Sequence, residues 1–311
     1  MQNERLYDEL YCVLKQDLQG ACKRNEALSK HTSYRIGGPA ALWVEANSLA
    51  EVRRIHEMAN THGIDLCFLG RGTNILASDE GYDGICLVLG PHFRGSAVEY
   101  EEQSLRAGAG ALLARLVQEA QSAGLSGLEF ATGIPGTLGG ALAGNVGTHS
   151  EWIGSLVREV TVFSLPDGLQ LLRGSDITWQ YRGSSLRNAA VILEARLTLS
   201  PGDPRLIAQR VEGALARRKA SQPLFLPNAG SVFKNPEGAS AGELIESVGM
   251  KGVRYGDAQV SELHANFIVN TGTASARDVT RLIREIRDKV QNSYGIELTP
   301  EIRFLGSFNE L

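Results

Sequence analysis

The chain has 311 residues, 43% of them apolar and 21% charged, with a formal net charge of −4, which is ordinary globular usage and enough length for two or three cores. A mildly acidic chain without a local lysine-arginine cluster lacks the electrostatic footprint that nucleic acid requires, and no apolar run is as long as a signal segment or a membrane span. Cys12, Cys22, Cys67 and Cys86 are scattered without C-x-x-C spacing, which argues against a disulfide framework or a zinc site and fits reduced thiols in the cytoplasm.

Residues 4–18 place Leu6, Leu10, Val13 and Leu14 at helical spacing, flanked by Tyr7 and Tyr11, and Gly20 follows as a stop; an amphipathic opening helix is predicted. After a polar stretch to Ser33, residues 41–44 read as a strand and 49–62 as a helix stopped by Gly63. The quartet 66–69 makes a short buried strand that runs into Gly70, Arg71, Gly72, Thr73 and Asn74. From there to about residue 200, short strands alternate with glycines, one helix is predicted at 112–123 and a strand at 190–199, so this part reads as α+β. A helix over 204–219 bridges to a further unit with helices near 241–248 and 275–294, the last opening on Ser275 with Asp278 in its first turn.

Two glycine clusters invite a nucleotide, but neither carries a common fingerprint. Ile75 stands where the third glycine of G-x-G-x-x-G belongs, and the run from Thr132 to Gly147 lacks the lysine of a P-loop. Glycines there still let backbone N–H groups approach an anion such as a pyrophosphate; the alternative is that the loops merely turn corners. His56-Glu57-Met58-Ala59-Asn60 has asparagine where H-E-x-x-H needs its second histidine, so no metal is expected. Ser231 lies between Gly230 and the pair Val232-Phe233 at a short apolar strand, followed by Lys234 and the closing Asn235-Pro236. With no G-x-S-x-G elbow and no histidine nearby, a serine used here gives a proton rather than attacks. Tyr181-Arg182-Gly183-Ser184 follows Trp179, and alternation in the late segment places Glu301 and Arg303 on one strand face. Taken alone, such charges are more often solvated or paired.

Together these segments resemble the UDP-N-acetylmuramate dehydrogenase family, also called UDP-N-acetylenolpyruvoylglucosamine reductase. The resemblance runs from about residue 31 to 306 and rests on HTSYRIGGPA, LGRGTN, GLEFATGIPGTLGGALAGN, YRGS, NAGSVFKNP, HANFIVN and PEIRFLG, in the family's order. It implies an α+β flavoprotein oxidoreductase: a PCMH-type FAD-binding domain, named for p-cresol methylhydroxylase, plus a smaller α/β substrate-binding domain. Non-covalent FAD is the implied cofactor, NADPH the co-substrate and UDP-N-acetylglucosamine enolpyruvate the substrate. The implied setting is a cytoplasmic monomer in peptidoglycan synthesis, and so in cell wall biogenesis, cell shape, cell division and the cell cycle, with no nucleic-acid or membrane partner.

The family's pyrophosphate loops fall on Gly70, Arg71, Gly72, Thr73 and Asn74, and on Gly133, Ile134, Pro135, Gly136, Gly139 and Gly140, with Asn145 a further cofactor residue. Its catalytic arginine falls on Arg182, its proton-donating serine on Ser231 and its catalytic glutamate on Glu301, with substrate contacts at Tyr181, Lys234 and Asn235. In the family, NADPH reduces the flavin, whose N5 delivers hydride to C3 of the enolpyruvyl ether and leaves negative charge spread from C2 into the carboxylate. The resemblance therefore gives Arg182 the carboxylate fork, gives Glu301 a hydrogen bond beside it that needs a raised pKa, and has Ser231 protonate C2.

Gly144-Asn145-Val146-Gly147 departs from the methionine-asparagine-alanine-glycine usual in the family. The 48 residues between Arg182 and Ser231 leave little room for the closing tyrosine loop of the longer branch, which places the chain in the shorter one. Three units are expected: residues 1–64 as an amino-terminal βα part rejoined by 298–311, the FAD-binding domain at 65–205 and the substrate-binding domain at 206–297. Two rivals are another flavin oxidoreductase on the same fold and a non-catalytic UDP-sugar-binding regulator.

Overall fold

A computed structural model describes residues 2–187 and 190–308. Met1 and 309–311, expected in the amino-terminal part and its return, lie outside the described residues, as do Asn188 and Ala189 within the expected FAD-binding range. The chain forms two compact units: residues up to 24, 42–70 and 85–217 make the first, and 25–41, 71–84 and those from 218 on make the second. The bridging helix Pro204–Ser221 begins at the expected boundary near 205, and the division falls inside it.

In the first unit the helix Gln2–Asp17 buries Tyr7, Leu10 and Leu14 but leaves Val13 exposed. The buried stripe is thus rotated from the expected Leu6-Leu10-Val13-Leu14 face, because Tyr7 brings a larger apolar body that also carries the Arg24 guanidinium over its ring. The helix Leu49–His62 has the expected ends, with the Ser48 hydroxyl accepting from the Glu51 N–H at 3.2 Å and Gly63 in the left-handed region at φ 62°. Cys22–Ala27 forms a strand where only a polar stretch was expected, at the edge of a sheet ordered Cys22–Ala27, Pro39–Ala46, Tyr82–Leu89 and Leu66–Phe68. An edge strand has one free flank, so its sequence need not be apolar.

The main sheet of this unit is antiparallel, in the order Gly168–Arg173, Val157–Ser164, Val191–Thr198, Ser104–Gly108 and Ser96–Glu99. Alternation sends Val160, Val162, Leu105, Ala107, Ala195 and Leu197 into one core with residues of the helices Leu113–Ser122 and Leu138–Ala143. Other side chains of these strands form ion pairs: Arg196 with Glu99 and Glu159, and Arg106 with Glu99 and Glu194.

The second unit packs the antiparallel sheet Arg254–Tyr255, Ala258–Val260 and Ile268–Asn270 with the helix Ala276–Tyr294, whose Val279, Leu282, Ile283, Ile286 and Val290 make a buried stripe. That helix starts with a capping box between Ser275 and Asp278. The Asp79 carboxylate accepts the N–H groups of Ala276 and Arg277 at 2.8 and 3.1 Å, an anion at the positive end of a long helix. Arg303–Leu305 pairs in parallel with Ile75–Ala77, the strand that leaves the first glycine loop. Among the described residues no helix is long and apolar enough to cross a membrane.

Candidate active site

Ser231 sits in the second unit, and its run departs from the expected strand. Among the described residues the run forms only isolated bridges, Asn228 to Val269 and Phe233 to Pro300. Two fully buried side chains, Val232 and Phe233, anchor the segment in the core. Its backbone is then satisfied from two directions. The Val232 N–H donates to the Asn266 carbonyl at 2.8 Å, and the Asn266 side chain meets both polar groups of Phe233, accepting its N–H at 2.9 Å and donating to its carbonyl at 2.8 Å. From the other side Glu301 N–H donates to the Val232 carbonyl at 2.7 Å, and Lys234 N–H to the Thr299 carbonyl at 2.9 Å. A carboxamide has the donor and acceptor of a peptide unit, so it replaces the neighbouring strand that the ladder lacks.

Upstream, Gly230 is left-handed at φ 78°, and its N–H donates to Asn228 Oδ1 at 2.9 Å, an Asx-type turn that delivers Ser231 half-buried. The Ser231 hydroxyl has no hydrogen-bond partner among the described residues. The Glu301–Val232 hydrogen bond puts Glu301 on the rung next to it, although the two are far apart in sequence. Glu301 and Arg303 do not alternate along one strand as expected: the strand begins at Arg303, with a bend at Ile302. The reason is that Glu301 N–H bonds Val232 while Arg303 N–H bonds the Asn74 carbonyl at 2.9 Å, so the two residues answer to different neighbours. The Lys234 ammonium is half-buried with no ion-pair partner among the described residues, and Asn235 Oδ1 accepts the Ala241 N–H at 3.0 Å.

The loop that continues from Gly70 is tied to the same two segments. Ser33 N–H donates to the Gly72 carbonyl at 3.1 Å, and the Ser33 hydroxyl to the Asn228 carbonyl at 2.6 Å. Asn74 Nδ2 donates to the Glu301 carbonyl at 3.2 Å. Gly72 has φ 60°, and a methyl group there would overlap the His31 carbonyl oxygen. Gly72→Ala is therefore expected to cost about 1–3 kcal/mol of stability through strain and overlap. Thermal unfolding and the flavin retained on gel filtration check this; an unchanged melting temperature with full flavin would show that the close approach is not needed.

In the first unit, the end of the same strand-loop meets the second glycine run. A Cβ on Gly70 would stand 2.7 Å from Thr137 Oγ1. Gly133 and Gly136 take φ values of 72° and 135°, which glycine alone adopts readily, while Pro135 and Gly140 are exposed and Ile134 half-buried. Thr132 is 6% exposed, and its hydroxyl has no partner among the described residues. Bare backbone, exposed glycine and an unpartnered buried hydroxyl fit a phosphate-bearing cofactor such as the expected FAD.

Arg182 belongs to the first unit as well. It closes a two-residue hairpin between Trp179–Gln180 and Gly183–Ser184 in the left-handed region at φ 58°, and Nη1 donates to the Gly147 carbonyl at 2.8 Å. Tyr181, the other turn residue, is 53% exposed with the guanidinium 5.3 Å from its ring centre. The glycine run holds this hairpin at two further points: Ser184 Oγ donates to the Leu142 carbonyl at 2.8 Å, and Asn145 Nδ2 to the Gln180 carbonyl at 3.0 Å. Asn145 Oδ1 accepts the Gly154 N–H at 3.1 Å, so both ends of this carboxamide engage protein. A non-glycine residue held at positive φ stores strain, which marks Arg182 as a position fixed by its surroundings. Sequence reasoning passed over Ser33 and Asn266; the one signal was for Asn266, a polar residue between Ala265 and the apolar Phe267-Ile268-Val269.

Among the described residues no group of three or more His, Cys, Asp or Glu could hold a metal ion. Among the described residues no cysteine is in a disulfide, and the hydrogen bond with Cys67 together with burial pushes the Cys86 thiol well above its usual pKa.

Residues 40–171 match the family model described as an FAD binding domain, and residues 222–305 match the one described as the C-terminal domain of UDP-N-acetylenolpyruvoylglucosamine reductase. UDP-N-acetylenolpyruvoylglucosamine reductase 2 of Symbiobacterium thermophilum is 42% identical over 92% of this chain and 93% of its own length. The enzyme of Moorella thermoacetica with that reductase name is 45% identical over 91% of this chain and 92% of its own. The crystal structure of UDP-N-acetylenolpyruvylglucosamine reductase from Thermus caldophilus superposes with a TM-score of 0.80 at 33% identity, covering 93% of this chain and 99% of that one.

Proposed function

The chain belongs to the UDP-N-acetylenolpyruvoylglucosamine reductase family, and from that premise we propose that it reduces UDP-N-acetylglucosamine enolpyruvate to UDP-N-acetylmuramate with NADPH, as a cytoplasmic monomer of peptidoglycan precursor synthesis. It is an FAD-dependent oxidoreductase. When bound, FAD supplies a two-electron relay that takes hydride from the nicotinamide and passes it to C3 of the enolpyruvyl group. Residues 70–74 and Gly133, Ile134, Pro135, Gly136, Gly139 and Gly140 would hold its pyrophosphate, with Asn145 bracing the second loop.

Arg182 forks the substrate carboxylate and stabilises the negative charge that develops there, an effect of about 3 kcal/mol for one well-placed donor. Glu301 donates a hydrogen bond beside that charge. Ser231 gives its proton to C2, and Lys234 offsets the charge left on the serine oxygen. Tyr181 and Asn235 complete the substrate contacts. The observation that carries this reading is the hydrogen bond from Glu301 N–H to the Val232 carbonyl at 2.7 Å, which joins the segments of two residues that the reaction needs together. Purified holoprotein is expected to oxidise NADPH in proportion to added UDP-N-acetylglucosamine enolpyruvate, with UDP-N-acetylmuramate identified by mass. A yellow protein that NADPH reduces but the enolpyruvyl compound does not reoxidise would overturn the substrate assignment.

A further inference from the structure

We propose that Asn266 is the positioning residue of the proton donor, setting where the Ser231 hydroxyl stands; this rests on the reading of Ser231 as the acid. Asn266 is 4% exposed. Its carbonyl takes the Val232 N–H, its Oδ1 the Phe233 N–H and its Nδ2 the Phe233 carbonyl, all at 2.8–2.9 Å. Its own N–H donates to His264 Nδ1 at 3.2 Å, which orients the clamp. One residue thus binds three of the four backbone polar groups of Val232 and Phe233, directly downstream of Ser231, and the fourth, the Val232 carbonyl, takes the Glu301 N–H.

Placement matters more for this serine than for most. On its upstream side Gly230 stands in the left-handed region, held by the single bond from its N–H to Asn228 Oδ1, so most of the bonds that place the hydroxyl lie in the downstream backbone. A hydroxyl is a weak acid and transfers its proton only across a short, aligned approach, and a displacement of about 1 Å can cost about 100-fold in rate. No regular ladder runs through the segment; backbone bonds tie Val232 to Asn266 and Glu301 and Lys234 to Thr299, and the carboxamide alone takes both polar groups of Phe233.

The test uses the flavin-loaded full chain and separates its two half-reactions by stopped flow, with UDP-N-acetylglucosamine enolpyruvate as oxidant. In Asn266→Ala and Asn266→Asp, flavin reduction by NADPH is expected within about twofold of wild type, while reoxidation slows about 10- to 100-fold. The solvent deuterium isotope effect on reoxidation is expected to rise as proton transfer becomes limiting. In Asn266→Asp the new carboxylate faces the Phe233 carbonyl, so lowering the pH, which turns it into a donor, is expected to recover part of the rate. Amide hydrogen exchange at residues 232–234, followed by mass spectrometry, is expected to quicken in both variants without substrate present.

Unchanged reoxidation overturns the proposal, and so does an equal loss in both half-reactions, which would mark a purely architectural residue. If neither of those variants folds, Asn266→Ser is read in the same way, and failure of all three to fold overturns it too. Ser231→Ala separates the two readings. Normal reoxidation in that variant removes the acid assignment itself, whereas blocked reoxidation there with normal reoxidation in the Asn266 variants removes only the positioning role.

Discussion

Ser231→Ala is expected to leave flavin reduction by NADPH near the wild-type rate and to slow reoxidation by the enolpyruvyl substrate by about 10²–10⁴-fold, the usual contribution of a positioned general acid. The asymmetry follows from where the proton is needed. In the proposed reaction, reduction of the flavin requires nothing from this hydroxyl, whereas hydride addition at C3 leaves C2 as a strong base that must be protonated before product forms. The Ser231 hydroxyl is half-buried and has no hydrogen-bond partner among the described residues, so its removal breaks no internal bond. Phe233 and Val232 stay anchored by burial and by Asn266, and the melting temperature is expected to move little. Stopped-flow traces of both half-reactions in one preparation measure this directly. Intact reoxidation in the variant would exclude Ser231 as the acid.

Arg182 gives the second large effect, and it can be separated from stability. In the proposed reaction, replacing the guanidinium removes the fork for the substrate carboxylate, and loss of one such electrostatic donor typically lowers turnover about 10²–10³-fold. Arg182→Ala and Arg182→Gly should share that loss. They should differ in stability, because φ 58° strains alanine but not glycine, by about 1 kcal/mol in favour of Arg182→Gly. Both also lose the bond from Nη1 to the Gly147 carbonyl, so that term cancels in the comparison. Denaturant melts paired with steady-state kinetics read the two quantities independently. If Arg182→Gly kept wild-type turnover, the residue would be a turn former and not a charge stabiliser.

The helices were legible where local signals agree. Leu49–His62 and Ala276–Tyr294 carry an N-cap serine, an acid in the first turn and a glycine stop, all of which act within a few residues. The opening helix was found but its buried face was misread, since the choice between Tyr7 and Val13 is made by the surface it packs on. Cys22–Ala27 was missed because an edge strand needs hydrogen-bond partners more than apolar residues. At the site, the segment containing Ser231 reads as a strand by composition, yet Asn266, 33 positions from Phe233, supplies the bonds a strand would have had. Glu301 and Arg303 were placed on one face by alternation, but a bend at Ile302 separates them because each N–H finds a different neighbour.

By itself the sequence determined which motifs the proposed chemistry draws on: the glycine loops, the YRGS and NAGS motifs and the closing glutamate, because side-chain identity and short-range spacing are written in order along the chain. Tertiary structure alone decided that Glu301 stands one rung from Ser231, that Ser33 and Asn74 tie the first glycine loop to both, and that Arg182 is pinned at positive φ by the second glycine run. The physical reason is that each of these placements is a hydrogen bond to a backbone carbonyl from a backbone N–H or a polar side chain tens to hundreds of positions away. Every residue carries a backbone acceptor and every residue but proline a donor, so nothing in the local sequence says which pair will meet.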